Sequence, residues 1–222
     1  MRFIDRNDAG RRLARHLVRR HYDQPVVIGL PRGGVPVAVE VAARLDAPLD
    51  TLVVGRLGAP QEPEVALGAL AEDGVRLLDE DRVAAMGVTP AQLEGIATLE
   101  AHEIDRRVAV YRSDRDRVPV AGRTIIVVDD GVATGFTART AIDVLRGRGV
   151  QGVVLAVPVG PVPVIHELRT HADDVLCLYT PHPFRTIRSV YAEFHPVSDA
   201  VVAELLATHA STAGSGVGDG RS

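Results

Sequence analysis

Residues 127–137 read Val-Val-Asp-Asp-Gly-Val-Ala-Thr-Gly-Phe-Thr and concentrate the chemistry of the chain. A run of β-branched residues leads into them and a helical pattern follows. That places them at the carboxyl end of a strand, where open parallel sheets bind ligands. Gly131 and Gly135 permit tight turning and close backbone approach. The amides from Val132 to Thr137 can aim at an anion where a helix begins, and Thr134 and Thr137 add hydroxyl donors. The whole stretch Gly131, Val132, Ala133, Thr134, Gly135, Phe136 and Thr137 is therefore a candidate phosphate cradle that needs no cationic side chain. Asp129 and Asp130, just before it, offer acceptors suited to a vicinal diol or a divalent cation. A phosphate cradle beside a diol-gripping pair describes a ribose 5-phosphate site.

A second segment, residues 28–35, reads Ile-Gly-Leu-Pro-Arg-Gly-Gly-Val and again leaves a strand for a helix. Arg32 brings a permanent positive charge with bidentate reach for phosphate, and Gly33-Gly34 free the backbone to approach an anion. Alone, Pro31-Arg32-Gly33-Gly34 is a turn signal. Its place one βα unit ahead of the first segment favours an anion-contacting loop over a plain turn.

The elements that must position these residues alternate short apolar runs with amphipathic stretches, the pattern of βα units around a parallel sheet. Strands are expected at 26–30, 49–55, 124–128, 152–159 and 174–179, mostly as continuous apolar runs of the kind buried on both faces. Helices are expected at 35–45, 137–148, 162–170 and 198–208, and over the first twenty residues, where Leu13, Ala14, Leu17 and Val18 share a stripe and Asp5 or Asn7 caps the start. Thr89-Pro90-Ala91-Gln92 is a capping box opening a helix to Tyr111, with Leu93, Ile96, Ile104, Val108 and Tyr111 inward. Residues 57–78 break the rhythm and read as a loop with an antiparallel hairpin. The expected fold is α/β: an open, mostly parallel sheet flanked by helices, with a mobile loop and hairpin and a small C-terminal hood. One domain spans 1–208, and 209–222 read as a disordered Gly/Ser-rich tail.

Composition narrows the function. All 25 basic residues are arginine, against 29 acidic ones, for a net charge of −4. That excludes the strongly basic class of non-specific DNA binders, and the absence of lysine excludes Schiff-base chemistry and a Walker-type phosphate lysine. The single cysteine, Cys177, lies in an apolar run and cannot form an intramolecular disulfide. No signal-peptide core and no membrane-length apolar run are present, so the expected location is the cytoplasm, with neither nucleic acid nor membrane as partner.

The first segment resembles the signature of the type I phosphoribosyltransferases: four apolar residues, two acidic, three variable, then Thr-Gly-x-Thr. It is matched here by 125–128, Asp129, Asp130, 131–133 and Thr134-Gly135-Phe136-Thr137. The resemblance extends through RFIDRNDAG, GLPRGGVPVA, GAPQEPEVALGA and LAVPV to the Phe184–Tyr191 region, and is similar to a bacterial group of stand-alone phosphoribosyltransferases. It implies displacement of pyrophosphate from phosphoribosyl pyrophosphate by a nucleophile, usually a ring nitrogen such as a nucleobase supplies, with Mg²⁺ as cofactor. Asp129 and Asp130 would hold the ribose diol and the metal, and 134–137 the 5-phosphate. Pro31, Arg32, Gly33 and Gly34 would form the pyrophosphate loop, with Arg56 as a second cation.

The segment 58–64 would begin the loop that covers the site, and Glu64 could serve as base. Phe184, Tyr191 and Arg188 of the hood would meet the acceptor. Hypoxanthine-guanine enzymes carry aspartate at the position of Ala133 and lysine at that of Phe136; Ala-Thr-Gly is closer to adenine-type enzymes, and Arg188 replaces a glycine of the group. A homodimer is common in the resembled family. Two rivals stand beside this reading: a non-catalytic regulatory protein that binds phosphoribosyl pyrophosphate or a nucleotide on the same fold, and a phosphohydrolase with Asp129 as nucleophile, which lacks a lysine partner.

Overall fold

The structure, a computed structural model, describes residues 2–113 and 115–214, the side chains of 210–214 excepted. Helix α1 (Arg6–Leu17) begins where Asp5 accepts the Asp8 amide, and it buries Leu13, Ala14 and Leu17. β1 (Val26–Gly29), α2 (Gly34–Leu45) and β2 (Leu49–Thr51) follow. The chain then builds β3 (Val54–Gly58), β4 (Ala66–Ala71), β5 (Arg76–Leu78), α3 (Glu80–Ala85) and α4 (Pro90–Tyr111). It returns with β6 (Thr124–Val128), α5 (Phe136–Gly147), β7 (Gly152–Val159), α6 (Val162–Leu168) and β8 (Asp174–Tyr179). A 3-10 turn (Ile187–Val190) and α7 (Asp199–Gly214) end the described chain.

The main sheet has the order β2-β1-β6-β7-β8, parallel throughout, and β3-β4-β5 form a separate antiparallel sheet. Alternation along β6 explains its two-sided burial. Ile126 and Val128 face the core shared with α1, α2, α4 and α7, while Ile125 and Val127 face the core under α5. All four are fully buried, each contributing about 1.5–3 kcal/mol relative to exposure. On α4, Thr89 Oγ1 accepts the Gln92 amide and Gln92 Oε1 accepts that of Thr89, completing the expected capping box. Leu93, Ile104 and Tyr111 are buried, with Ile96 and Val108 packed beside them.

Three elements differ from the sequence expectation. The strand expected over 49–55 is two strands in two sheets. After β2, the Thr51 carbonyl accepts from Arg112 and the Val53 amide donates to Glu72, so the chain leaves the parallel edge and pairs with β4 instead. Helix α3 is an addition to the expected elements: Asp79 caps it by accepting the Arg82 amide, but it buries no side chain and so leaves no apolar period. Helix α7 continues to Gly214 and takes in residues 209–214 of the expected tail, while 215–222 lie outside the described residues.

Candidate active site

The sheet reverses its winding between β1 and β6. From β1 the chain moves outward to β2; from β6 it moves the other way to β7 and β8. Such a switch point opens a crevice beyond the strand ends. Gly29 lies opposite Val128, and the Leu30 amide donates to the Val128 carbonyl at 2.9 Å. Residues 31–34 and 129–131 therefore leave the sheet side by side.

This juxtaposition explains the two glycines of the first loop. A Cβ on Gly33 would lie 2.0 Å from Asp130 Oδ2, and one on Gly34 would lie 2.7 Å from the Val128 carbonyl oxygen and 2.8 Å from Asp129 Cα. The sequence suggested that Gly33-Gly34 make room for an anion; the space is taken by the acidic pair itself.

Asp129 Oδ1 accepts the Asp130 amide at 2.8 Å, and Asp130 Oδ2 accepts Arg6 Nε at 2.8 Å. Loss of solvent, reinforced by the Asp130 charge, pushes the Asp129 carboxyl well above the usual carboxylate range. Burial also raises Asp130, against the opposing pull of Arg6. The two carboxylates are thus crowded, desolvated and short of one counter-charge, the condition of a site that receives a cation or hydroxyl donors.

Beyond the pair, Gly135 takes a left-handed conformation (φ 83°) and starts α5 with no side-chain cap. The amides of Ala133, Thr134, Gly135, Phe136 and Thr137 make no hydrogen bond among the described residues, which leaves a helix N-terminus open to an anion. Val132 departs from expectation, since its amide donates to the Val159 carbonyl. Its side chain still lines the cavity.

That cavity, about 300 Å³, brings together Asp129, Asp130, residues 131–135, Thr137, Arg56 and Glu64, with Ile187 from the hood. Arg56 holds Glu64 only loosely, at 3.7 Å between charged groups, and the Glu64 side chain is 96% exposed. Arg32 and Pro31 lie outside this cavity. Arg32 is exposed, makes no ion pair among the described residues, and stands within electrostatic reach of Asp199 and Tyr111. The Phe136 side chain turns toward the core under α5 and a neighbouring cavity.

The hood corrects one assignment. Tyr191 is only 3% exposed and donates its hydroxyl to the Asp130 carbonyl at 2.7 Å, so its ring is packing and cannot stack on an acceptor. Phe184 is half-buried against the Phe3, Val159 and Tyr191 cluster, and Arg188 is exposed with its guanidinium on the Phe194 carbonyl. Sequence reasoning missed Arg6, Ile187 and Phe194. Arg6 stood in the RFIDRNDAG stretch, but only its partner 124 residues away reveals what it holds.

Among the described residues no group of three or more His, Cys, Asp or Glu could cage a metal. Two adjacent carboxylates do suit Mg²⁺, which keeps several waters and binds through one or two carboxylates plus substrate phosphates. No helix among the described residues is long and apolar enough to cross a membrane.

Beside the cavity, the Glu100 carboxylate of α4 sits on the backbone of Gly55, where a Cβ would meet Glu100 Oε1 at 2.1 Å. Burial raises its pKa, with Glu103 adding to the effect and Arg107 and Arg56 opposing it. A raised folded-state pKa means stability is present while the group is protonated and lost as pH rises through the glutamate range. Glu100→Gln should therefore melt higher than the parent at pH 7 and equally at pH 4. A lower melting temperature at pH 7 would show that the carboxylate is held by a favourable partner.

The phosphoribosyl transferase domain family matches residues 4–179. "Putative phosphoribosyl transferase Rv0571c" of Mycobacterium tuberculosis is 46% identical over 218 residues, 98% of this chain and 49% of that protein. The chain thus spans about half the length of that relative. An adenine phosphoribosyltransferase of Parafrankia sp. is 34% identical over 142 residues, covering 59% of this chain and 74% of that protein. The crystal structure of TT1426 from Thermus thermophilus superposes with a TM-score of 0.78 at 39% identity, over 93% of this chain and 98% of that one. With the winding reversal at β1 and β6 and the acidic-pair motif in place, these matches settle the family: the chain is a member of the type I phosphoribosyltransferases.

Proposed function

We propose that the chain transfers a 5-phosphoribosyl group from phosphoribosyl pyrophosphate to a nitrogen acceptor of the nucleobase kind, releasing pyrophosphate. One observation carries the reading: unspent helix-terminal amides, an under-neutralised carboxylate pair and Arg56 line one cavity at the switch point. The amides and hydroxyls of 133–137 bind the 5-phosphate, and Asp129 with Asp130 receives the ribose hydroxyls. Arg32, on the loop after β1, and Arg56, on β3, are fixed charges that stabilise the pyrophosphate as it departs. The bond from C1 to the pyrophosphate oxygen breaks with its electron pair on pyrophosphate. The acceptor nitrogen forms the new bond to C1, and its proton passes to Glu64 or to water. Mg²⁺, held at Asp129 and Asp130, would neutralise charge on the leaving group. The carboxylates favour the cationic sugar by their position alone, and no covalent nucleophile is required.

A second reading has its own support. Tyr191 packs against Phe194, and Phe194 also carries the Arg6 guanidinium, so the hood offers an acceptor little free aromatic surface, as suits a regulatory protein that binds phosphoribosyl pyrophosphate without turnover. Pyrophosphate release, measured with Mg²⁺ across purines, pyrimidines and small amines alongside binding, separates the two. Release with one acceptor class is the expected result. Tight binding without release for any acceptor would establish the regulatory reading, and neither binding nor release would overturn both.

A further inference from the structure

The N-terminal segment reaches into the site through one side chain. Arg6 opens α1, and its Nε donates to Asp130 Oδ2 at 2.8 Å, with the two side chains 12% and 11% exposed. Its Nη1 donates to the His195 carbonyl at 2.8 Å, and the guanidinium lies 3.8 Å over the Phe194 ring. The segment is fastened to the hood by backbone bonds from Phe3 to the Val190 carbonyl, and from Ala192 and Glu193 back to the Phe3 and Ile4 carbonyls. Tyr191 reaches the Asp130 carbonyl from the same side. Asp130 is therefore gripped by two groups mounted on one platform.

The consequence lies in which oxygens remain. Asp129 Oδ1 is spent on the Asp130 amide and Asp130 Oδ2 on Arg6, leaving Asp129 Oδ2 and Asp130 Oδ1 without a partner among the described residues. One free carboxylate oxygen from each of two consecutive residues, on the wall of one cavity, matches the two hydroxyls of a vicinal diol. Without Arg6, Asp130 would be free to rotate and both its oxygens would compete for the same hydroxyl. We propose that Arg6 is a positioning residue for diol recognition, setting Asp130 so that the pair offers one acceptor to each ribose hydroxyl. The inference rests on the ribose 5-phosphate reading of the site.

Calorimetric titrations of the full chain without divalent cation, using ribose 5-phosphate, 2-deoxyribose 5-phosphate and inorganic phosphate, test it. The parent protein should prefer ribose 5-phosphate over the deoxy sugar. Arg6→Met should lose about tenfold for ribose 5-phosphate, the scale of a charge-assisted hydrogen bond. It should also lose most of the preference while keeping its affinity for inorganic phosphate, and Arg6→Lys should restore part of the preference. A folded Arg6→Met that retains the preference, or that weakens all three ligands alike, would overturn the positioning role. If Arg6→Met does not fold, Phe194→Leu, which removes the shelf under the guanidinium, must reduce the preference in the same direction; an unchanged preference would overturn the proposal. A parent protein with no preference for ribose would instead remove the diol reading on which the proposal stands.

Discussion

Asp129→Asn combined with Asp130→Asn is expected to abolish most binding of phosphoribosyl pyrophosphate while leaving the protein folded. Each carboxylate has one oxygen unspent within the chain, and a charge-assisted hydrogen bond contributes about 1.5–3 kcal/mol. Losing both predicts a fall in affinity of about a hundredfold or more, read by calorimetry. Stability should fall but not collapse, since Asn keeps an oxygen acceptor for the half-buried Arg6 guanidinium while removing its counter-charge. Asn keeps the Oδ1 acceptor for the Asp130 amide, and the change relieves two adjacent carboxylates of their mutual repulsion while loosening one buried ion pair with Arg6. Unchanged affinity in the double variant would remove the diol role; a collapse of melting temperature would show that the pair is a structural element first.

The second large effect concerns the anchoring of the hairpin sheet. The Glu72 side chain is 1% exposed, and its carboxylate accepts the Val53 amide and meets Arg112, Arg117 and Arg148 at 2.9–3.1 Å. Those arginines come from the end of α4, the connection before β6 and the end of α5, so one carboxylate ties the β4–β5 turn to three other parts of the chain. Asp73 backs it up on Arg117 and Arg148, and its own carboxyl is held below the ordinary value by those charges despite a burial cost. Arg112, only 10% exposed, has no such second carboxylate among the described residues. Glu72→Ala leaves it a buried charge without compensation, for which about 3–5 kcal/mol is expected. Urea denaturation with an unchanged m-value measures this, and a loss under about 1 kcal/mol would show that Asp73 alone suffices.

The legible and illegible parts of this protein divide by distance along the chain. The β6–loop–α5 segment could be read because strand, loop and helix are consecutive, and Asp129, Asp130, Thr134 and Thr137 line one cavity, as their spacing implied. The capping box at Thr89 was equally local. Other features depend on partners that no local period encodes. The break between β2 and β3 comes from Glu72 and Arg112 capturing backbone groups at residues 51 and 53. Tyr191 was expected to meet an acceptor because it lies in the hood segment of the resembled family, and its burial is set by Phe3 and Asp130, far away in sequence. The two glycines of the first loop were singled out for approach to an anion, and the structure shows a steric reason that no local pattern reveals. Their missing Cβ atoms make room for Asp129 and Asp130.

The central claim, that the cavity at the β1–β6 switch point receives a 5-phosphoribosyl ligand, is tested most directly by following backbone amide resonances while phosphoribosyl pyrophosphate and Mg²⁺ are titrated in. The account predicts saturable shifts concentrated in residues 129–137, with accompanying shifts at 31–34 and Arg56. Saturable shifts centred elsewhere, or no change in the amides of 133–137 under saturating ligand, would contradict it.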